Sequence, residues 1–234
     1  MEFTRPQQRA TLVRRYKRFL ADVLLEDGTE LTVHCANSGA MTTCNEPGRP
    51  IIISDSENPK RKLRYSWEMI QIDQTWIGVN TATPNTAVAQ FISDGQFPEL
   101  QGYAKQKREV KYGIEGRSRI DILLTGENGE KCYVEIKNAT MKSGDHAAFP
   151  DAVTTRGQKH IEELEAVVKE GHRGVLFFFV GRSDCERFRP ADEIDPKYGE
   201  LLRRAVNNGV EILAYQMNFS PSRVEPGPRL PVDL

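Results

Sequence analysis

The segments RIDILL (residues 119–124) and CYVEIK (residues 132–137) decide the fold of this chain. Both have the composition of apolar β-strands, and the stretch that joins them ends in the turn-forming residues Asn128 and Gly129. Side chains two positions apart on a strand share a face. Glu135 and Lys137 therefore point to one side, and the apolar residues between them point to the other side. The pattern predicts a hairpin with one apolar face and one polar face.

The length of the turn determines whether Asp121 joins the polar face. A two-residue turn at Asn128-Gly129 would pair Asp121 with Ile136 and send the carboxylate to the wrong side. A three-residue loop at 127–129, with Gly129 in the left-handed conformation, pairs Asp121 with Glu135 instead. We predict an odd-length loop or a bulge at this point.

Two carboxylates and an ammonium group on one sheet face are suited to a hard cation. We predict that Asp121, Glu135 and the backbone carbonyl of Ile136 bind Mg2+ or Mn2+, because these cations prefer oxygen ligands. Such a metal ion activates a bound water and stabilises charge on a phosphate. Lys137 would orient that water or pair with the phosphate. Glu109, which alternates with apolar residues on the preceding strand, is predicted as a fourth catalytic residue.

The same spacing, Asp-x13-Glu-x-Lys, is also typical of a solvated salt-bridge ladder on an edge strand. The pattern alone does not separate the two interpretations. The position of the hairpin, after an α-β start and before an α-β unit, favours the metal site.

Short strands dominate the first third of the chain. They cover about 19–25, 31–35, 51–53, 63–70 and 76–79, with a hairpin signal at Asp27-Gly28. This density of strands predicts a five-stranded barrel of the oligonucleotide-binding kind in residues 1–82. The 15 residues from Ser220 to Leu234 are rich in Pro and Arg and are predicted to form a surface tail.

Residues 83–219 alternate between helical and strand patterns. Helices are predicted at 84–92, 155–170 and 196–207, and strands at 108–112, 119–124, 131–137, 174–180 and 210–215. The helix at 155–170 has an apolar stripe that includes His160. This order predicts an α/β/α domain with a mixed sheet.

Basic residues cluster in three places that could contact nucleic acid, although the net charge is only −1. Two clusters lie in the barrel among the aromatic residues Tyr16, Phe19, Tyr65 and Trp67, and they consist of Arg14, Arg15, Lys17 and Arg18, and of Lys60, Arg61, Lys62 and Arg64. The third group lies at a predicted helix N-terminus, where phosphates bind readily. It consists of the basic residues Arg156 and Lys159 together with Gln158. Asn37 lies in a small-residue loop (37–41) that would let a phosphate approach. The alternatives are solvated basic loops, core aromatics, a plain turn and a simple helix cap.

The four cysteines form no metal-binding or paired pattern, which predicts reduced, buried thiols. The N-terminus has no signal-peptide pattern, and the most apolar run, 175–180, is too short to span a membrane. We therefore expect a cytoplasmic protein with no membrane partner.

Several motifs together resemble the sugar fermentation stimulation protein family. They are EVKYG (109–113), SRID (118–121), FPDAVT (149–154), RGQKH (156–160), GVEILAY (209–215) and NSGAM (37–41). The resemblance covers about residues 19–215.

The resemblance implies an oligonucleotide-binding barrel followed by a restriction-endonuclease-like domain of the PD-(D/E)XK type. Asp121, Glu135 and Lys137 then occupy the D…ExK positions of that superfamily. One departure is Gln90, on the helix that in such nucleases often carries an additional Glu. The implied partner is DNA, single strands included, and RNA stays open. Three functions stay open as well: a Mg2+-dependent endo- or exonuclease, a non-catalytic DNA-binding transcriptional regulator of sugar (maltose) metabolism genes and, with less support, a protein that binds a nucleotide or a phosphosugar.

Overall fold

Six strands occupy the first 80 residues of the structure, a computed structural model that describes residues 1–113 and 118–234. They are β1 (Gln7–Tyr16), β2 (Leu20–Leu25), β3 (Glu30–Cys35), β4 (Pro50–Asp55), β5 (Tyr65–Ile72) and β6 (Thr75–Gly78). The strand order is β3-β2-β1-β4-β5-β6, and a pairing between β3 and β5 closes the first five strands. The predicted five-stranded barrel is confirmed.

Strand β1 has no counterpart among the predicted strands, and it carries part of the first basic cluster. Ala10 and Leu12 point into the barrel core, but a bulge between Leu12 and Arg14 interrupts the alternation. Because the bulge leaves Val13 exposed, the period of two disappears from the sequence at this point. Arg14 and Arg15 consequently lie on a strand rather than in a loop.

The second domain contains all three helices found in the described residues. In chain order its elements are α1 (Thr83–Ser93), a 3-10 turn (Pro98–Leu100), β7 (Lys105–Tyr112), β8 (Ser118–Thr125), β9 (Lys131–Ala139), β10 (Met141–Ser143), β11 (His146–Phe149), α2 (Thr155–Lys169), β12 (Arg173–Val180), β13 (Arg187–Pro190), α3 (Pro196–Asn207), β14 (Glu211–Ser220) and β15 (Arg223–Arg229). Six strands form one sheet in the order β15-β14-β12-β9-β8-β7, while β10, β11 and β13 form a small second sheet. The pairs β9–β12 and β12–β14 are parallel and the others in the large sheet are antiparallel, so the predicted mixed sheet is confirmed.

The large sheet lies between two apolar layers. Helix α1 packs on one face, where Phe177 is buried, and α2 and α3 pack on the other face, where Phe178 is buried. Strand β12 is covered on both faces, which explains why its sequence is apolar without alternation. The four cysteines are free and buried, as predicted.

The C-terminal segment is not a surface tail, and that prediction is wrong. Residues 223–229 form β15, which pairs with β14 at the edge of the sheet, and Val224 is fully buried. Prolines are tolerated on an edge strand because one side of such a strand needs no ladder partner. The Pro-rich composition is typical of a loop, so it did not indicate this strand.

A tight polar contact holds the barrel loop 37–41 against the second domain. The carboxylate of Asp151 accepts a hydrogen bond from the backbone N–H of Met41 at 2.9 Å. A Cβ atom built on Gly39 would lie 2.4 Å from the same carboxylate, so only glycine allows this approach. Nearby, the buried guanidinium of Arg182 donates to Thr43 of the barrel and to the Thr140 carbonyl of the second domain.

Replacing Gly39 with Ala should lower the free energy of unfolding by about 1–3 kcal/mol, because the added methyl group collides with Asp151. The measurement is urea denaturation of the variant beside Ser38→Ala, an exposed change in the same loop. In an Asp151→Ala background the same Gly39→Ala change should cost much less. Equal costs in both backgrounds would contradict the proposed contact.

Candidate metal centre and active site

The hairpin between β8 and β9 has the predicted register. Ile122 pairs with Val134 and Thr125 pairs with Lys131, so Asp121 lies opposite Glu135. The Gly126 N–H donates to the Glu130 carbonyl at 2.9 Å, which leaves residues 127–129 as a three-residue loop. Gly129 has a φ of +87°, the left-handed conformation that such a loop requires. The predicted loop is confirmed.

Asp121 lies where the two strands of this hairpin separate. The backbone pairing between β8 and β9 ends at Ile122 and Val134. Beyond that pair, Asp121 Oδ2 accepts from the Ile136 backbone N–H at 2.7 Å, and Oδ1 accepts from the Asn85 side chain at 2.7 Å. The N–H and C=O of one strand residue point to the same side. The Ile136 carbonyl is thus directed toward the gap that Asp121 enters.

Glu135 is held in one orientation by two neighbours. Its side chain is almost completely buried, and Oε1 accepts from Lys137 Nζ at 2.7 Å and contacts Nδ1 of His160. Lys137 Nζ also lies 3.0 Å from the same His160 nitrogen. The second oxygen, Oε2, is buried with no hydrogen-bond partner among the described residues. A buried carboxylate oxygen without a partner is costly and marks a place for a ligand.

The two carboxylates have pKa values shifted in opposite directions. Burial and the charge of Glu135 raise the pKa of Asp121 to about 6. Burial also acts to raise the pKa of Glu135, but the charge of Lys137 and the hydrogen bond with His160 outweigh it and lower that pKa. A cation bound beside Asp121 would offset the burial and the negative charge that oppose its ionisation.

The donor set fits a hard divalent cation. The available oxygens are the free Oε2 of Glu135, the carboxylate of Asp121 and the carbonyl of Ile136. Within residues 1–113 and 118–234, no three or more Asp, Glu, His or Cys side chains are grouped so that they could hold a metal ion. The set of two carboxylates and one carbonyl resembles the way Mg2+ is usually bound, by one or two carboxylates with several waters.

Glu109 borders the same cleft. A cavity of about 490 Å3 is lined by Glu109, Asp121 and His160 together with basic residues. In the pairing of β7 with β8, Glu109 lies opposite Asp121, between the pairs that Arg108 and Val110 make. Its φ is +54°, which is uncommon for a residue with a side chain.

Two residues of the site were not predicted from the sequence. His160 was assigned to the apolar stripe of α2, and it is buried as expected, but its ring faces Glu135 and Lys137. Asn85 lies in the first turn of α1 and donates to Asp121. Gln90, the residue expected on this helix, is exposed and borders a different cavity beside the N-terminal residues. No local pattern distinguishes His160 or Asn85, because both depend on how the helices pack against the sheet.

Basic residues form the rim of the cleft. Arg119, Arg156 and Lys159 line it, and all three are exposed. The predicted contact residue Gln158 instead donates to both oxygens of Asp195. Arg119 was not predicted to contact nucleic acid, and it reaches the rim because it lies two residues before Asp121 on β8 and shares its face. An acidic floor below a basic rim is electrostatically suited to a phosphate that bridges to a metal ion.

Two of the barrel residues predicted to contact nucleic acid, Arg15 and Asn37, form hydrogen bonds within the fold. Arg15 donates to the backbone carbonyls of Arg18, Asn37 and Gly39, so it holds the loop in place. The Asn37 amide is buried and is engaged with the Gly39 N–H and the Val79 carbonyl. These two side chains therefore have structural roles that the sequence did not reveal.

The two barrel clusters lie at opposite ends of β1. Lys17 and Arg18 form the turn after Tyr16, next to the second domain, and Arg14 forms an ion pair with Asp22. The second cluster consists of Lys60, Arg61, Lys62 and Arg64. It follows β4 in the chain, and the end of β4 pairs with the start of β1. Arg64 pairs with Asp55. Among the aromatic residues, Phe19 is 46% exposed, whereas Trp67 belongs to the barrel core.

Replacing Asp121 with Asn should stabilise the metal-free protein at pH 8. The folded-state pKa of about 6 exceeds the ordinary value of 3.8, so ionisation of Asp121 increasingly opposes folding as the pH rises from about 4 to 6, and the full penalty applies above that range. The gain in the free energy of unfolding should be about 2 kcal/mol at pH 8 and should vanish below about pH 3, where the carboxyl is neutral in both states. The measurement is denaturation in a chelator at several pH values, with Glu127→Gln on the same hairpin as control. A destabilised variant at pH 8 would contradict the strain between the two acids.

Comparison with known proteins agrees with both domains. Residues 13–79 match the family model described as the SfsA N-terminal OB domain, and residues 82–223 match the Sugar fermentation stimulation protein RE domain. A sugar fermentation stimulation protein homolog of Geobacter metallireducens is 55% identical over the full length of both chains. A homolog of Paramagnetospirillum magneticum is 50% identical over 100% of this chain and 98% of its own.

A solved structure agrees with the arrangement of the whole chain. It is that of Pyrococcus furiosus SfsA in complex with Ca2+, with a TM-score of 0.90 and 28% sequence identity, over 100% of this chain and 98% of that one. No helix in the described residues is long and apolar enough to cross a membrane. The two family models, the relatives and the shared fold show that this chain belongs to the sugar fermentation stimulation protein family.

Proposed function

We propose that this protein is a metal-dependent nuclease that hydrolyses phosphodiester bonds in nucleic acid. The observation that carries the proposal is the buried Oε2 of Glu135, which has no hydrogen-bond partner in the part of the chain that the structure describes and lies beside Asp121 at a gap in the sheet. The restriction-endonuclease-like fold of the second domain supports it by analogy, since fold alone does not establish an activity.

The residues of the site have separate roles in this proposal. Asp121, Glu135 and the Ile136 carbonyl would hold Mg2+ or Mn2+, and such an ion supplies an activated water and stabilises charge on the phosphate. Lys137, fixed between Glu135 and His160, presents its ammonium group to the attacking water or the phosphate. His160 contacts the same Glu135 oxygen, Oε1, that accepts from Lys137. This second contact keeps the Glu135 side chain in one orientation.

Nucleic acid is the substrate that the surroundings support best. Arg119, Arg156 and Lys159 at the rim offer three positive charges to a phosphate backbone. The barrel belongs to a fold that often binds single strands. The Pyrococcus relative was crystallised with Ca2+, which is a hard cation like Mg2+ and takes the same oxygen ligands.

Purified protein should cleave DNA or RNA in Mg2+ or Mn2+, and Asp121→Asn, Glu135→Gln and Lys137→Met should each reduce cleavage by about 100-fold or more. The assay uses labelled single-stranded and duplex substrates of both kinds on denaturing gels. Glu127→Gln, an acid-to-amide change in the exposed loop of the same hairpin, should leave cleavage unchanged.

Cleavage that survives in Asp121→Asn and Glu135→Gln would exclude this site as its source. Tight DNA binding by the wild-type protein without cleavage of any substrate would favour the second function, a non-catalytic DNA-binding regulator of sugar metabolism genes. Metal titration of wild-type protein and Glu135→Gln, read by calorimetry, separates loss of metal from loss of chemistry.

The rim of the cleft should contribute more to nucleic acid binding than the distant barrel cluster. The double variant Arg156→Ala/Lys159→Ala should weaken binding by about tenfold and reduce the salt dependence by about two counterions. Lys60→Ala/Lys62→Ala removes the same charge at the far end of β1 and should have a smaller effect. Binding is measured by fluorescence anisotropy at several salt concentrations. The reverse order would place the substrate on the barrel.

A further inference from the structure

A second cavity lies between the two domains, directly beside the proposed active site. Its volume is about 400 Å3, and its walls include Arg18 and Ser38 of the barrel and Lys137, Asn138, Thr140 and Phe149 of the second domain. The contact of Asp151 with the loop at Met41 holds the walls together. The cavity is therefore part of a fixed interface and does not depend on a loose loop.

Asn138 is the unusual member of this lining. Both polar atoms of its amide, Oδ1 and Nδ2, are shielded from solvent and have no hydrogen-bond partner among the described residues. An amide with an acceptor and a donor both unsatisfied is costly in isolation. It is also the group that proteins use to read the edge of a nucleobase, which offers a donor and an acceptor side by side.

The cavity adjoins the catalytic cleft. Asn85, which donates to Asp121, borders both spaces. Ile136 and Lys137 line the interdomain cavity, whereas Asp121 and His160 line the cleft. A strand whose phosphate lies at Asp121 and Glu135 thus has a neighbouring space for its next nucleotide.

The size of the space indicates the state of that nucleotide. A cavity of about 400 Å3 is at the small end of the range for ligand pockets, about 300–1,000 Å3. It accommodates one nucleotide, but a double helix is far too wide for it, since the major groove alone is about 12 Å across. Phe149 offers an aromatic surface and Arg18 a positive charge, which suit a base and a phosphate.

We propose that the interdomain cavity binds one unpaired nucleotide adjacent to the scissile phosphate, with the Asn138 amide bonded to its base. The inference rests on the proposed function for its nucleic acid substrate. The unpaired nucleotide comes from a single strand or is turned out of a duplex, and the chemistry of the cavity is the same for both.

The test is binding rather than cleavage, so that it is independent of turnover. Fluorescence anisotropy in Ca2+ compares a single-stranded oligonucleotide, a blunt duplex and a duplex with a single-stranded tail, and gels verify that each stays intact. Ser38→Trp fills the cavity from an exposed position, and Ala40→Trp places the same side chain in the same loop outside the cavity. Thermal unfolding of each variant verifies that it is folded.

Ser38→Trp should weaken binding of the single strand and the tailed duplex by about tenfold, and Ala40→Trp should change it by less than about twofold. Asn138→Ala should weaken the same binding by about fivefold, because it removes the base contact. A blunt duplex that binds as tightly as the single strand and is equally sensitive to Ser38→Trp identifies a nucleotide turned out of the helix. Equal binding by Ser38→Trp and Ala40→Trp would overturn the proposal.

These outcomes are distinguishable from failure of the proposed function. A selective effect of Ser38→Trp in a protein that cleaves nothing would retain the nucleotide site and refute the nuclease. Cleavage that depends on Asp121 but is indifferent to Ser38→Trp would retain the nuclease and refute the nucleotide site.

Discussion

The separation of β8 from β9 is the feature on which the site depends. Where the backbone pairing of the two strands ends, the carboxylate of Asp121 takes the place of a strand partner and accepts the Ile136 N–H. This contact holds Asp121 beside the buried Glu135, and the Ile136 carbonyl points to the same side as the N–H that Asp121 accepts. The electrostatic strain between the two acids follows from the same geometry, because neither carboxylate can move away without losing a hydrogen bond.

The surrounding structure stabilises this arrangement from three directions. Helix α1 supplies Asn85 to Asp121, and α2 supplies His160 to Glu135. The barrel approaches from the third side through the contact of its loop with Asp151. The cleft at Asp121 and the interdomain cavity therefore depend on the same contacts, and a change in the docking of the barrel would alter the space beside Lys137 as well.

Much of the site could be predicted from the sequence, because it depends on residues that are close together in the chain. The pairing of Asp121 with Glu135 depends only on a strand period of two and on a three-residue loop with Gly129 in the left-handed conformation. The order of helices and strands in the second domain depends on similarly short patterns. Strand β15 was missed because its prolines are typical of loops, and β1 because a bulge interrupts its alternation. In both cases the pairing with a distant strand outweighed the local composition.

The sequence alone predicts that Asp121, Glu135 and Lys137 share one face of a hairpin, because the alternation of a strand and the length of a turn are local properties of the chain. The other groups that contact these residues depend on how the domain folds in three dimensions. His160 was predicted as part of an apolar stripe, and its burial was correct, but its partners come from a strand more than twenty residues away. Arg15 and Asn37 were predicted to contact nucleic acid, but in the folded protein their side chains donate hydrogen bonds to backbone carbonyls of the barrel. A helix or strand period shows which face of an element is buried, but it does not show which distant segment packs against that face.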